Sequence, residues 1–303
     1  MHIRHLGGDF TPRCVKGYSN APMEEVREEV SVSSTQVHSP IRFNESTPHP
    51  GEEIMTAPAQ SEKPLVVCWS EGTAPKEVYP EDINNAVAAG LREALPAWEV
   101  VSASLNDLDQ GLSQERLDRC RVLIWWGHQR HREVSDELTE KIVARVEEDG
   151  MGFISLHSSH FAKPNIALMS QEPTEPEILG KVRPEGRVAA WGNYLGDSVK
   201  LTIRVKDLEH PVSQGLPEEF TFDHHERYQD PYAVPRPDAV ILEGDATLQD
   251  GTVDCSQQGF CWTIGKGRML YFQARHETDP VFFDPNVRRL IANAVQWAAS
   301  SAD

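Results

Sequence analysis

The chain has 303 residues, 39% hydrophobic and 25% charged, the proportions of a globular protein with room for one large domain or two small ones. Its 29 Lys and Arg stand against 47 Asp and Glu, and the net charge of −18 excludes nonspecific binding to a polyphosphate backbone. No stretch approaches 18 apolar residues, the opening MHIRHLGGDFTPRC lacks the apolar core of a secretory signal, and five cysteines are irregularly spaced; a reducing cytoplasm and no membrane partner are expected. Residues 1–62 carry no tryptophan, three aromatics and prolines at 12, 22, 40, 48, 50 and 58. They bury too little apolar surface to offset their ordering entropy, so they are expected to be a disordered tail or an over-long gene start, leaving 63–303 as the folded domain.

From residue 65 the pattern alternates. LVVCW (65–69) reads as a buried strand, and 82–95 as a helix with Val87, Leu91 and Leu95 on one stripe, stopped by Pro96. EVVSA (99–103) and VLIWW (122–126) read as strands; Ser135 caps a helix whose stripe is Leu138, Ile142 and Val146; MGFISL (151–156) is a fourth strand. Continuous apolar strands in a β-α-β-α-β order predict a parallel sheet covered on both faces. The second half is richer in strand: VKLTIRV (199–205), EFTFD (219–223), AVILEG (239–244), then a hairpin of CWTI (261–264) and RMLYFQ (268–273). A last helix spans 285–299, opened by Pro285.

Seven histidines fall just past strand ends: GHQRH follows VLIWW, HSSH follows FISL, HHERY follows FTFD, and RHE follows RMLYFQ and Ala274. Ligands of open α/β sheets bind outside the carboxyl ends of the strands, so these clusters are expected to face one crevice. His157 and His160, three apart across a turn, could share a zinc or manganese ion with His128, Glu226 or His276 completing the site. The same groups without a metal suit proton removal beside a carbonyl, with Glu226 or Glu277 orienting an imidazole. His210, before Pro211, reads as structural. One of Trp125 and Trp126 is expected in the core, and the other, with Tyr228 or Trp191, against a sugar face. Ser158 and Ser159 do not lie in G-x-S-x-G, and neither G-x-G-x-x-G nor a P-loop occurs, so no nucleotide cofactor is expected.

Four stretches carry a resemblance: VLIWWGHQRHREVSDEL (122–138), GMGFISLHSSHFAKPNIALM (150–169), HERY (225–228) and GKGRMLYFQARHETDPVFFDPNVRRLIANAVQWAA (265–299). Together they resemble the ThuA-like family, named for trehalose utilisation. The resemblance implies a flavodoxin-like fold of the class I glutamine amidotransferase type: a mostly parallel sheet, helices on both faces and a strand-rich C-terminal half. Amidotransferases of that fold carry a cysteine nucleophile on the turn where His157 stands here, so glutaminase chemistry is excluded at that turn. The resemblance further implies disaccharide breakdown, including routes through a 3-keto sugar. Carried over residue by residue, His128 and His131 match the tryptophan-glycine-histidine segment, and His157, Ser158 and His160 the histidine-serine segment. Glu226 with Tyr228, and His276 with Glu277, match the last two. His225 and Arg227 stand where an acidic and an apolar residue are implied, and 170–197 depart from the family pattern.

The expectation is an enzyme of carbohydrate catabolism acting on a disaccharide or 3-keto-glycoside by elimination or hydrolysis. Its acid/base groups are His157, His160, Glu226 and His276; Trp126, His128, Ser158, Tyr228 and Glu277 contact substrate; His157, His160 and His128 are the ligands if zinc or manganese is bound. The partner is a small sugar, and monomer and homodimer are both compatible. The rival reading is a non-catalytic sugar-binding or regulatory protein on the same fold, and a hydrolase using Ser158 ranks last.

Overall fold

The computed structural model describes residues 63–300, apart from 185, 274 and 275 and the side chains of 197, 198, 224 and 225. The readings of 1–62 and of the His224 and His225 side chains lie outside the described residues. The elements run β1 (Leu65–Ser70), α1 (Asp82–Ala94), β2 (Glu99–Ser104), α2 (Gln114–Arg119), β3 (Cys120–Trp126), α3 (Asp136–Glu147) and β4 (Gly152–Leu156). They continue with α4 (Lys163–Met169), α5 (Pro176–Leu179), β5 (Trp191–Val205), β6 (Glu219–Tyr232), β7 (Ala239–Thr247), β8 (Val253–Ile264), β9 (Gly267–Phe272) and α6 (Pro285–Ala299). A nine-stranded sheet has the order β2-β1-β3-β4-β9-β8-β7-β5-β6. The first five are parallel and form the predicted covered sheet; β9, β8, β7, β5 and β6 pair antiparallel with their neighbours as the strand-rich extension.

The apolar runs divide by period two between the faces. Val122, Ile124 and Trp126 of β3 join Val87 and Leu91 of α1 and Leu290 and Ile291 of α6 in one layer. Leu123 and Trp125 join Leu138, Ile142 and Val146 of α3 and Leu168 of α4 in the other. The capping residues work as their chemistry dictates: Ser135 accepts from the Leu138 N–H at 3.1 Å, and Asp284 accepts from Asn286 and Val287 before Pro285. Gly152 is required by close approach, since a Cβ there would lie 2.7 Å from the Ala298 Cβ of α6.

One expectation needs correction. The strands at 199–205 and 219–223 extend to 191–205 and 219–232 and form one long ribbon with register shifts between Trp191 and Asn193 and between Leu195 and Ser198. The added halves show no aliphatic alternation because their buried positions are filled by Trp191, Arg227, Tyr228 and Tyr232 rather than by Val, Ile or Leu. Glu226 and Tyr228 therefore lie within a strand rather than past its end. Cys68, Cys120 and Cys261 are free and buried. No helix among the described residues is long and apolar enough to cross a membrane.

Candidate active site

Three adjacent parallel strands, β3, β4 and β9, end at Trp126, Leu156 and Phe272, and the residues just beyond deliver His128, His157, and His276 with Glu277. The β5–β6 ribbon returns over these ends. Tyr228 donates its N–H to Gln273 Oε1 at 3.1 Å, and Gln273 Nε2 donates back to the Tyr228 carbonyl at 3.2 Å. Glu226, two residues away, is thereby brought to the crevice that the strand-end rule predicted.

His157 occupies the turn with φ +50°, a left-handed conformation uncommon for residues other than glycine, though histidine, like asparagine and aspartate, adopts it more often than most. Packing holds it there. Tyr271 Oη donates to its carbonyl at 2.8 Å, His160 Nδ1 lies 3.1 Å from the same oxygen, and Tyr228 stacks on its ring at a centroid distance of 5.0 Å. Its side chain is fully buried, with Nε2 3.3 Å from both Glu226 Oε1 and Tyr228 Oη and Nδ1 without a hydrogen-bond partner. Tyr228 Oη also shares a 2.8 Å hydrogen bond with Ser158 Oγ. Glu226 is 17% exposed and is the face this chain of groups presents to the crevice; its Oε2 lies 3.9 Å from His276 Nε2.

A second cluster adjoins the first. His128 Nδ1 lies 2.8 Å from Glu277 Oε1, which also accepts from Gln129 Nε2 at 3.2 Å, while His276 Nε2 lies 3.2 Å from Glu277 Oε2. The His128 and His276 rings meet edge to face at 4.6 Å.

Glu71, directly after β1, was missed as a functional residue from sequence. It is buried, and its Oε2 accepts from the backbone N–H of His128 at 2.9 Å and of Gln129 at 2.8 Å, fixing the loop that carries His128. Gly127 is glycine for the same reason, because a Cβ would stand 2.8 Å from Glu71 Oε1. The signal was present: Glu71 follows an apolar strand, as the strand-end histidines do.

The remaining assignments divide. His131 is mostly buried, 3.4 Å from Glu71 Oε1, and helps hold that loop. His160 is buried against the His157 carbonyl, so His157, His160 and His128 do not converge as metal ligands; the group whose donor atoms lie within 4.8 Å of one another is His128, His276 and Glu277. Trp126 is 1% exposed and lies in the α1–α6 layer, set there by the strand's alternation, so it offers no face to a sugar. Trp191 is also buried, stacked on Tyr232 at 4.3 Å. His210 caps its own loop, accepting from Val212 N–H at 3.2 Å, as a structural residue does.

Burial lowers the His157 pKa and brings that of His160 down to about 3, so both imidazoles are neutral at neutral pH. Burial alone would raise Glu226, but its hydrogen bond to His157 and the nearby His157, His276 and His128 bring it net below the usual carboxylate range. The hydrogen bond that His128 donates to Glu277 raises its pKa against the opposing effect of burial. Burial pushes the Tyr228 phenol far up and Cys120 up to about 12, leaving the thiol inert. The crevice thus offers an ionised carboxylate backed by a neutral imidazole, beside His128, whose proton Glu277 helps to hold.

Comparison with known proteins agrees with this architecture. A ThuA-like protein from Bacteroides uniformis superposes with a TM-score of 0.52 at 18% identity, covering 80% of this chain and 94% of that one. A ThuA-like protein from Parabacteroides merdae gives 0.54 at 15% identity, covering 78% and 89%. A cytoplasmic protein of Salmonella typhimurium gives 0.50 at 15%, covering 79% and 100%. At such identities the likeness establishes the fold. No curated protein matches the chain in sequence. The family model for ThuA, trehalose utilisation, matches residues 65–298, nearly the whole described domain, and the chain belongs to that family.

Proposed function

We propose that this protein cleaves a glycoside carrying a keto group at C3, with Glu226 as the general base. The supporting observation is the arrangement around Glu226: a partly exposed carboxylate at the crevice, held at 3.3 Å by a buried neutral imidazole whose left-handed backbone is fixed by packing. His157 reaches the crevice only through Glu226, so it positions and polarises the base rather than touching substrate. This replaces the expectation that His157 and His160 are themselves the acid/base pair.

A C3 carbonyl acidifies the neighbouring C2–H. Glu226 takes that proton, the C–H electrons form a C1=C2 double bond, and the C1–O bond breaks with its electron pair leaving on the glycosidic oxygen. That oxygen receives a proton from His128 or His276, the two imidazoles facing the crevice. The products are an unsaturated keto sugar and a free alcohol; no oxidant is consumed. The carbohydrate class follows the family's description, trehalose utilisation, and the keto form is chosen because proton removal beside a carbonyl is what one carboxylate and two imidazoles do well.

The test is to offer trehalose and 3-keto-trehalose in parallel and follow release of free sugar. Release from the keto sugar alone supports the reading. Binding of either sugar without release would instead establish the rival, a sugar-binding protein on the same fold.

A further inference from the structure

The groups beside Glu226 have a property that acid/base chemistry does not require. Glu277 is 2% exposed, and its Oε2 makes no hydrogen bond although it faces His276 Nε2 at 3.2 Å. A buried carboxylate oxygen without a donor costs roughly 1–3 kcal/mol unless something else satisfies it. Donor atoms of His128, His276 and Glu277 all lie within 4.8 Å of one another. For a tetrahedral ion with bonds of about 2.0–2.1 Å, ligand atoms are separated by about 3.4 Å. The 3.2 Å spacing from His276 Nε2 to Glu277 Oε2 fits; His128 Nδ1 lies 2.8 Å from the other oxygen, Oε1, and would exchange that contact for the ion, within the 4.8 Å that encloses the group.

We infer that His128, His276 and Glu277 form a binding site for one divalent transition-metal ion, zinc or manganese. Two imidazoles and one carboxylate are a donor set that leaves coordination positions open. Glu226, with Oε2 3.9 Å from His276 Nε2, stands beside those positions. His128, 32% exposed at its side chain, provides the entry path. Neighbouring groups orient the three ligands, since Glu71 fixes the His128 backbone and Gln129 donates to Glu277 Oε1, leaving Oε2 for the ion. An ion here would polarise a carbonyl oxygen placed against the crevice and, since it would occupy ring nitrogens of His128 and His276, the leaving oxygen's proton would come from a bound water instead of from these imidazoles. That role rests on the proposed function above; binding of the ion does not.

The experiment uses the full chain, stripped with chelator, dialysed against zinc or manganese chloride, desalted and analysed for metal content, with affinity measured by calorimetry. The expected result is about one tightly held ion per chain, with affinity falling roughly 10-fold or more in His276→Ala and in the conservative Glu277→Gln. Glu226→Gln should keep the ion while losing turnover. A His128→Ala/His276→Ala variant controls for weak binding to the acidic surface and must lose the tight site. Absence of uptake by the wild type, or uptake unchanged in the double variant, overturns the site. Uptake as expected without turnover of 3-keto-trehalose would leave the metal site standing and remove the proposed reaction. Turnover without uptake would do the reverse.

Discussion

Glu226→Gln lowers turnover of a 3-keto-glycoside by about 10²–10⁴-fold with little change in sugar affinity, the loss expected for removal of a general base. The amide preserves shape and the contact with His157 while removing the basic oxygen. His157→Asn is the companion variant: asparagine tolerates the φ of +50° found at this position, so the turn survives while the imidazole behind Glu226 is lost. Its expected loss is smaller than that of Glu226→Gln and is confined to kcat, because His157 touches no substrate. Steady-state kinetics on the two purified variants decides the ranking. A larger loss in His157→Asn with Glu226→Gln near wild type would move the base to His157.

The second large effect is on stability. Arg227, on β6, is fully buried between the strands, ion-paired with Asp254 of β8, and its Nη1 donates to Ser256 Oγ at 2.5 Å. Burial lowers its pKa to about 10, still charged at neutral pH. Asp254→Ala removes the paired anion and leaves Asp230, whose pKa burial raises to about 7, as the remaining carboxylate acting on that guanidinium; breaking a buried pair costs up to about 3–5 kcal/mol. Chemical denaturation should read this as a lower midpoint at unchanged slope. The ThuA resemblance implies an apolar residue at this position, so Arg227→Leu/Asp254→Ala is expected to recover most of the loss. Failure of the double variant to recover would mean that the pair is not the source of the cost.

The parallel half of the fold was legible because its strands are continuous apolar runs and its helices carry clear stripes and caps. LVVCW, VLIWW and GFISL became β1, β3 and β4 with small changes at their ends, and 285–299 became α6 without change. The ribbon of β5 and β6 was half legible: LTIRV and FTF alternate, but in WGNYLGD and HHERYQD the buried positions are Trp191, Arg227 and Tyr228 among polar neighbours, which no period-two apolar pattern announces. That pairing carries Glu226 to His157 across a separation of 69 residues in the sequence, a contact no local pattern encodes. Strand-end histidines are recognisable as a class, but which of them face solvent depends on side-chain direction. His157 and His160 turn inward, while His128 and His276 remain partly open. Trp126 could have been placed from alternation alone, since it shares the parity of Val122 and Ile124.

The most direct measurement is proton exchange at C2 of 3-keto-trehalose, followed by NMR in deuterated water with wild type and Glu226→Gln. If Glu226 removes that proton, substrate deuterated at C2 is cleaved more slowly than the protiated form, or deuterium from solvent appears at C2 of unreacted substrate; in Glu226→Gln both cleavage and exchange fall together. Cleavage by the wild type with neither an isotope effect nor exchange at C2 would contradict proton abstraction beside the carbonyl, and with it the role given to the Glu226–His157 pair.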